Sequence, residues 1–466
     1  MERRQARAAV VAVAVAAAAL AGCGDGGDSG DGGSGGETLT VWTVEDVAER
    51  VELQKALLAD YTKATGTKTE LVAVAEDKLQ TVLASAAAGD TLPDVIGALS
   101  LTAVNQLRTD DLLDTSAAGE VVDSLGEGTF TKAALDLTRA DGDQLAVPSD
   151  GWAQLLFYRK DLFAAAGLAE PATYDAMKAA AAKLDTGTTA GIVAATAPND
   201  SFTHQTFEQL ALANDCQLVD DGGDVTLDSP ACQETFGFYA DLVKQHSVPG
   251  NQDADTTRAT YFAGRAAMVI WSSFLLDELA GLRNDALPTC PQCKADPTFL
   301  AKNTGVVGAL QGPSGSEPAT FGEIVSWAIL RDSSDATKDF VEYVMNDGYE
   351  KWLAIAPEGK VPTRKGTADD AEKFVTAWQS LPVGVDKKAP LGEVYDASVV
   401  EAVAASPEGF TRWGLTEGQG ELAGAVAGQF IVPKALSGLI NGDGDAASAA
   451  KAADQQAEAV KADVGS

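Results

Sequence analysis

Short apolar segments alternate with longer amphipathic ones in the region that follows the first 37 residues. The segment TLTVWTV (38–44) has the β-branched, apolar composition of a strand, and a helix is predicted to begin near Glu45. TKTELVAVA (67–75) and PDVIGALS (93–100) predict two further strands, and EDKLQTVLASAAAGD (76–90) predicts the helix between them. Because strand and helix alternate in this order, the sequence predicts an α/β fold with a mostly parallel sheet.

The size and charge of the chain limit the classes of function that it can have. Of its 466 residues, 45% are hydrophobic and 22% are charged, which is the composition of a globular protein. A core of this size is normally divided between two lobes. The chain has 68 acidic and 34 basic residues, a net charge of −34. Such a surface repels phosphate backbones, so nucleic acid is not an expected partner.

The first 22 residues have the layout of a bacterial export signal. Three arginines among the first seven residues precede an Ala/Val run that ends in small residues. The tetrapeptide LAGC (20–23) resembles a lipobox, whose cysteine receives a diacylglycerol and becomes the new N-terminus. We therefore predict a signal peptide (1–22), lipidation of Cys23 and a lipidated flexible linker (23–37) rich in Gly, Asp and Ser. An ordinary signal peptide with an incidental cysteine is the alternative, and the export route stays open.

The four other cysteines form two pairs that are close in the sequence. An exported chain meets an oxidising compartment, so we predict the disulfides Cys216–Cys232 and Cys290–Cys293. The second pair, CPQC, also has the spacing of a thioredoxin-type redox motif, but the three prolines around it do not suit the helix start that activates such a thiolate. Crossed pairing and a four-cysteine zinc site are the alternatives that stay open.

Several stretches together resemble one known family. VWTVEDVAERVELQKALLADYTKATG (41–66) is similar to its opening strand and helix, and PDVI (93–96) is similar to its third strand. AVPSDGWAQLLFYRKDLFAAAGL (146–168) resembles its first crossing between lobes, and YFAGRAAMVIWSS (261–273) resembles its F-x-x-G-K/R-x-A-M block. The family is that of the extracellular solute-binding proteins of ATP-binding-cassette importers, in the sugar-binding branch that includes maltose-binding protein.

This resemblance implies a two-lobed, periplasmic-binding-protein-like fold, in which each lobe has a mostly parallel sheet flanked by helices and the ligand cleft lies between the lobes. The implied divisions are lobe 1 (38–147), lobe 2 (148–271), lobe 1 again (272–328), and lobe 2 with the C-terminal helices (329–466). The implied function is capture of a sugar or oligosaccharide outside the cell and its delivery to the importer's membrane subunits. We expect a monomer that is lipid-anchored to the extracellular face of the cytoplasmic membrane and has no cofactor.

The candidate site residues follow predicted strands or lie where the chain crosses between lobes. A predicted helix ends at Gly264, and the apolar strand 266–270 follows it. Ligands of open α/β sheets bind outside the carboxyl ends of strands, so Trp271, Ser272 and Ser273 are predicted to face the cleft. The other candidates are Trp42, Glu45, Ser100, Asp150, Trp152, His204, Gln205, Glu323 and Trp413. For each of them, burial in the core is the alternative.

The sequence contains no clear sign of an enzyme. His204 and His246 are its only histidines, and no G-x-S-x-G elbow, P-loop or H-E-x-x-H motif is present. A surface glycoside hydrolase needs only two carboxylates at a suitable distance, so this alternative stays open among so many acidic residues. A binding protein for a peptide or a metal chelate is a third alternative. We predict a binding protein without a catalytic or metal-ligating centre.

Overall fold

The computed structural model describes residues 38–464. The predicted signal peptide, the lipidated Cys23 and the linker to residue 37 lie outside the described residues. Within residues 38–464, the strands are β1 Leu39–Thr43, β2 Thr69–Ala73, β3 Val95–Leu99, β4 Arg139–Ala140, β5 Asp143–Gln144, β6 Val147–Arg159, β7 Met268–Ser272, β8 Thr304–Val307, β9 Thr320–Ile329, β10 Val361–Pro362, β11 Pro382–Val383, β12 Ala389–Pro390 and β13 Phe410–Thr411.

The helices surround these strands in an order that begins strand, helix, strand. They are α1 Ala48–Thr65, α2 Leu79–Ala88, α3 Leu101–Thr109, α4 Thr115–Leu125, α5 Lys132–Leu137, α6 Lys160–Ala166, α7 Tyr174–Leu184, α8 Ser201–Ala213, α9 Pro230–His246, α10 Ala254–Phe262, α11 Leu275–Leu279, α12 Phe299–Lys302, α13 Asp335–Met345, α14 Tyr349–Leu353, α15 Lys373–Trp378, α16 Leu391–Val394, α17 Ala397–Ala405, α18 Gly420–Gly428, α19 Ile431–Asn441 and α20 Ala446–Val464.

Nine of the strands form one mixed sheet. Strands β2, β1 and β3 are parallel neighbours, as the strand–helix order predicts. Strand β9 pairs antiparallel with both β3 and β6, so the sheet as a whole is mixed and not mostly parallel. The reason is that β6 and β9 are long strands that run in opposite directions beside each other. The α/β class and the first three strands agree with the prediction, whereas the direction of the later strands differs from it.

Strand β6 joins the two halves of the sheet. Its first half pairs with β9 and β10, and its second half pairs with β7 and β8. We call the part built on β1, β2 and β3 the first lobe, where α1, α4, α13 and α14 pack together, and the part built on β7 and β8 the second lobe, where α7, α8, α9, α19 and α20 pack together. Helices α13 and α14 lie in the range 329–466 that the sequence assigns to lobe 2. The lobe boundaries themselves stay a prediction.

Local sequence signals explain where the helices around the site begin. The Ser100 hydroxyl accepts a hydrogen bond from the backbone N–H of Ala103 and caps α3, and the Asp200 carboxylate caps α8. Ser229 caps α9, whose first residue is Pro230. Among residues 38–464, no single helix is long and apolar enough to cross a membrane, although the bent pair α18–α19 reaches that length and composition when both are taken together.

Both predicted disulfides are confirmed. Cys216 and Cys232 are bonded and connect the end of the α8 region with the first turn of α9. Cys290 and Cys293 are bonded to each other in the segment between α11 and α12. All four of these cysteines are buried. The crossed pairing and the zinc site, which the sequence left open, do not occur.

Candidate ligand-binding site

Four polar or aromatic side chains share one face of the sheet where the two lobes join. Trp152 and Gln154 are two positions apart in β6, so their side chains lie on the same face of the sheet. Glu323 of β9 is opposite Trp152, and Ser272 of β7 is opposite Gln154. Directly opposed residues of antiparallel strands place their side chains side by side. Three of the predicted site residues therefore meet Gln154 on this face, which we call the cleft floor (Trp152, Gln154, Ser272 and Glu323).

Trp152 is the tryptophan best placed to contact a ligand. All seven tryptophans lie in the part of the chain that the structure describes, and six of them are buried, whereas Trp152 is half-buried. Its ring centroid lies 5.7 Å from that of Phe321 and 6.4 Å from that of Phe274. These two contacts hold the indole in place and leave part of it uncovered. An indole of this kind can cover one apolar face of a ligand.

Two buried polar atoms beside the cleft floor have no hydrogen-bond partner among residues 38–464. Gln154 is fully buried, its amide nitrogen is 3.5 Å from Oε1 of Gln205, and its own Oε1 is unpartnered. His204 is also buried, and its Nδ1 is unpartnered. Leaving a buried polar atom without a partner costs about 1–3 kcal/mol, so such atoms are usually bonded to a ligand or to water. Gln154 shares one face of β6 with Trp152 and lies against Gln205 of α8, which supports a ligand site there.

A chain of charged groups connects the two lobes beneath the cleft floor. Glu323 accepts a hydrogen bond of 2.8 Å from the backbone N–H of Leu101, the first residue of α3, and it also binds the Arg412 guanidinium. Nε of Arg412 donates to Glu208 of α8 at 3.0 Å, and Nε2 of His204 is 3.3 Å from the other oxygen of Glu208. Arg412 thus binds one carboxylate from each side of the junction.

Burial and charge have opposite effects on Glu208. Burial of this fully enclosed carboxyl by itself raises its pKa. Arg412, His204 and the Trp413 backbone N–H lower the pKa by more than burial raises it, so that the pKa falls to about 2. The carboxylates of Glu208 and Glu323 raise the pKa of the Arg412 guanidinium above its usual value, although burial acts in the opposite direction. The carboxylate of Glu208 and the guanidinium of Arg412 are therefore both charged at neutral pH.

A second buried polar group lies on the first-lobe side. Lys360 Nζ is 3.4 Å from Asp150 and 3.7 Å from Glu45, and it lies 4.2 Å from the centroid of the Trp352 ring. Asp150 also accepts hydrogen bonds from the Trp352 indole and from the Ser149 hydroxyl. Burial raises the pKa of Asp150, and these partners offset only part of that effect. Asp150 is therefore enclosed by protein partners.

Acidic side chains border the first-lobe side of the site. Burial opposes the ionisation of Glu45, but Lys360 and Arg50 lower its pKa overall. Glu76 is exposed, and reduced hydration together with the nearby carboxylates of Glu323, Asp46 and Glu45 raises its pKa. No cationic partner of Glu76 or Asp46 is present among residues 38–464. This border therefore carries uncompensated negative charge.

The two lobes also touch through α3 and α18. Helix α18 packs against α3 of the first lobe and against α8 and α20 of the second. The approach is close, because a Cβ at Gly420 would lie 2.5 Å from Oδ1 of Asn105, and a Cβ at Gly424 would lie 3.0 Å from the Thr102 methyl group. Glycine at these two positions permits the contact, and the lobes are therefore held together on this side of the cleft floor.

Several predicted residues have structural partners of their own. Trp271 lies inside β7, which continues to Ser272 and does not end at residue 270, and its ring packs 4.4 Å from that of Phe202 with only 8% of the residue exposed. The Trp413 indole donates to the carbonyl of Cys216 at 2.8 Å. Trp42 is buried in the core of the first lobe. Ligand binding by these residues, and by the helix cap Ser100, stays a prediction.

Trp271 and Ser272 differ in direction for a simple geometric reason. The sequence predicts both of them after the end of the strand, where both could face the cleft. As consecutive residues of β7, they point to opposite faces of the sheet, so Ser272 joins Gln154 and Trp271 joins the core around Leu155. Ser273 follows the strand, is buried, and has an unpartnered hydroxyl.

Gln154, Glu208 and Arg412 are site residues that were not among the residues predicted from the sequence. Gln154 could have been found, because it lies two residues after Trp152 in a predicted strand and therefore on the same face. Arg412 and Glu208 give no such signal, because they are 204 positions apart and pair only in the folded chain. Among residues 38–464, no group of three or more His, Cys, Asp or Glu side chains is arranged to hold a metal ion.

Comparisons with known proteins agree with this architecture. YcjN of Escherichia coli (strain K12), an ABC transporter periplasmic-binding protein by its description, is 27% identical over 392 residues, which cover 81% of this chain and 84% of YcjN. The structure of the cyclic alpha-maltosyl-1,6-maltose binding protein from Arthrobacter globiformis matches with a TM-score of 0.69 at 19% identity, over 91% of this chain and 99% of that one. The sugar-binding protein MalE from Xanthomonas citri has the same TM-score and identity, over 92% and 98%.

These structural likenesses show that the chain has the two-lobed fold of solute-binding proteins. The family described as bacterial extracellular solute-binding protein matches residues 46–351, which is more than half of the chain and includes most of both lobes. The cleft floor lies within this match, and so does the first-lobe side of the charged chain beneath it. On this evidence, the chain belongs to the bacterial extracellular solute-binding protein family.

Proposed function

We propose that the protein captures a sugar or oligosaccharide at the cleft floor and delivers it to an ATP-binding-cassette importer. The observation that carries this proposal is the half-buried Trp152 beside Glu323 and Gln154. A pyranose has an apolar C–H face and a polar rim, so an indole covers the face while carboxylate and amide groups bind the hydroxyls. Two structural neighbours are, by their titles, sugar-binding proteins, which supports the same ligand class.

Binding would be coupled to closure of the two lobes. The charged chain from Leu101 through Glu323 and Arg412 to Glu208 connects α3 of the first lobe with α8 of the second. A ligand that touches both sides stabilises the closed arrangement, because only that arrangement offers all of its contacts at once. The closed complex is then the form that docks on the importer.

The remaining parts of the proposal rest on the sequence. Cys23 would carry the lipid that holds a monomeric protein at the extracellular face of the membrane. We propose that the protein binds its ligand without converting it, since the relatives are described as binding proteins.

The test compares Trp152→Ala with Tyr158→Ala. Both residues are half-buried aromatics of β6, but Tyr158 lies at the far end of the strand and packs on Phe163. A thermal-shift screen against a carbohydrate library identifies ligands of the unaltered chain, because a ligand at 100 times its dissociation constant adds about 2.7 kcal/mol of stability. Calorimetric titration of the best ligand should show a loss of more than about tenfold in affinity for Trp152→Ala.

Tyr158→Ala should retain the affinity of the unaltered chain. Equal losses in both variants would contradict the placement of the ligand at the cleft floor. Failure of every carbohydrate to shift the melting temperature would contradict the ligand class. Chromatography of the oligosaccharide after incubation with the protein checks the absence of turnover, and the appearance of shorter products would indicate a glycoside hydrolase instead.

A further inference from the structure

We propose that the ligand carries a protonated amine, so that the site selects an amino sugar or a similar amine-bearing polyol over an uncharged sugar. This inference rests on the proposed function, because it concerns the ligand of the same cleft floor. It combines two independent features of the site: an excess of negative charge, and a buried hydrogen-bond acceptor, Oε1 of Gln154, that has no donor.

The charges at the cleft floor do not balance. Arg412 is shared between Glu323 and Glu208, so one guanidinium faces two carboxylates. Arg50 and Lys360 could in principle supply further positive charge. They are already engaged, however, Arg50 with Glu45 and Glu358, and Lys360 with Glu45 and Asp150. These cations are therefore not free to neutralise the site.

Two further carboxylates enlarge the negative excess. Glu76 and Asp46 have no cationic partner among the described residues, and both are exposed at the border of the site. Reduced hydration raises the pKa of Glu76, and the carboxylates of Glu323, Asp46 and Glu45 raise it further. A cation that enters this region would relieve the repulsion among these groups. An uncharged ligand would leave the repulsion in place.

One unpartnered buried atom of the cleft floor requires a donor. Oε1 of the fully buried Gln154 is an acceptor. Nε2 of His204 lies 3.3 Å from the carboxylate of Glu208, and its buried Nδ1 has no partner among residues 38–464. The Gln154 oxygen therefore calls for a donor that residues 38–464 do not supply.

An ammonium group suits both features, because it supplies positive charge and hydrogen-bond donors at once. It has three N–H donors and no acceptor, whereas a hydroxyl has one donor and brings lone pairs that need donors in return. Its hydrogen bonds to carboxylates are charge-assisted and about twice as strong as neutral ones. Trp152 can in addition attract a cation over its ring face. The amine is therefore the group that distinguishes the preferred ligand of this site.

The experiment uses the whole chain and a library that contains both uncharged saccharides and amine-bearing ones, including glucosamine, galactosamine and chitosan oligomers. Each amine is paired with its N-acetylated form, which keeps the ring but removes the charge. We expect the tightest ligand to be an amine and its N-acetylated partner to bind at least about tenfold more weakly. Raising the NaCl concentration should weaken the binding of the amine and leave that of the N-acetylated form unchanged.

A pair of exposed-carboxylate variants tests the role of the border. Glu76→Gln should weaken binding of the amine by about threefold and leave binding of uncharged saccharides unchanged. Glu70→Gln is the control, because Glu70 is an exposed carboxylate at the other end of the same strand region. It should bind the amine as the unaltered chain does.

The outcomes separate the two proposals. If the tightest ligand is an uncharged saccharide, or if N-acetylation does not weaken binding, the amine inference is wrong and the proposed function stands. Equal effects of Glu76→Gln and Glu70→Gln would also overturn the inference. If no member of the library binds, the proposed function fails together with it.

Discussion

Replacement of Arg412 by Met should destabilise the protein strongly at neutral pH and weakly in acid. Arg412 is the cation that Glu208 and Glu323 share, and Glu208 is almost completely buried. Methionine fills a similar length without charge, so Arg412→Met leaves a buried carboxylate with only His204 and one backbone N–H as partners. Breaking a buried ion pair by removing one member typically costs about 3–5 kcal/mol.

The pKa of Glu208 gives an independent magnitude. Its value of about 2 in the folded protein, against 4.5 for the unperturbed group, corresponds to about 3 kcal/mol of stabilisation at neutral pH. Because the folded-state pKa is the lower one, this stabilisation is complete above about pH 4.5 and is lost as the pH falls towards 2. In Arg412→Met, burial is no longer opposed by the cation and should raise the pKa of Glu208. The free energy of unfolding of the variant should therefore show no comparable decrease as the pH falls.

Urea denaturation followed by tryptophan fluorescence measures this difference at pH 7 and pH 3.5. The free energy of unfolding of Arg412→Met should be about 3 kcal/mol lower than that of the unaltered chain at pH 7, and the gap should narrow at pH 3.5. Arg331→Met is the control, because Arg331 is an exposed arginine 3.8 Å from Asp111. Its replacement should lower the free energy of unfolding by about 0.5 kcal/mol or less. Equal stabilities of the two variants at pH 7, or a gap that does not change with pH, would refute the reasoning.

Four further outcomes are expected. Trp271→Ala should lower the free energy of unfolding by about 3–5 kcal/mol, because the ring packs in the core, and an unchanged melting temperature would return Trp271 to the ligand site. The stability of Asp277→Asn relative to the unaltered chain should rise as the pH increases from about 4 to 8, because burial and the carboxylates of Glu358 and Glu278 raise the pKa of Asp277 to about 8. A difference in melting temperature between the two proteins that does not change with pH would contradict this. Replacing Cys216 and Cys232 together by Ser should cost about 3 kcal/mol for a loop of 16 residues without changing ligand affinity, as calorimetry can check. Cys23→Ala should abolish lipid attachment, and mass spectrometry of the native N-terminus would refute the anchor if it found an unmodified residue other than Cys23.

The early part of the fold could be predicted because its signals are local. The apolar runs around Val41, Leu71 and Ile96 have the length and composition of strands, and each one is a strand of the parallel group. The same kind of signal failed at the end of β7, where Ile270 is followed by two residues that suit either a strand or a loop. Whether a strand stops depends on its neighbour, and here β6 continues to pair as far as Ser272.

The candidate site was predicted in part, for a related reason. Sequence position identified Trp152 and Glu323 as candidates, but it could not rank Trp152 above Trp271, because the exposure of a side chain is set by the residues that pack on it. Phe202 covers Trp271, while only part of Trp152 is covered by Phe321 and Phe274. Arg412 was missed because its two carboxylate partners come from distant parts of the chain.

The way in which β6 is paired has a consequence for amide hydrogen exchange. This strand of 13 residues forms ladders with β9 and β10 in its first half and with β7 and β8 in its second half. The N–H groups of its first half are released only when β9 or β10 detaches, and those of its second half only when β7 or β8 detaches, so β6 lies between neighbours along its length. The N–H groups of β2, in contrast, depend on β1 as a single neighbour. The β6 amides should therefore exchange with the solvent at the slowest, global rate, and those of β2 should exchange earlier through local opening.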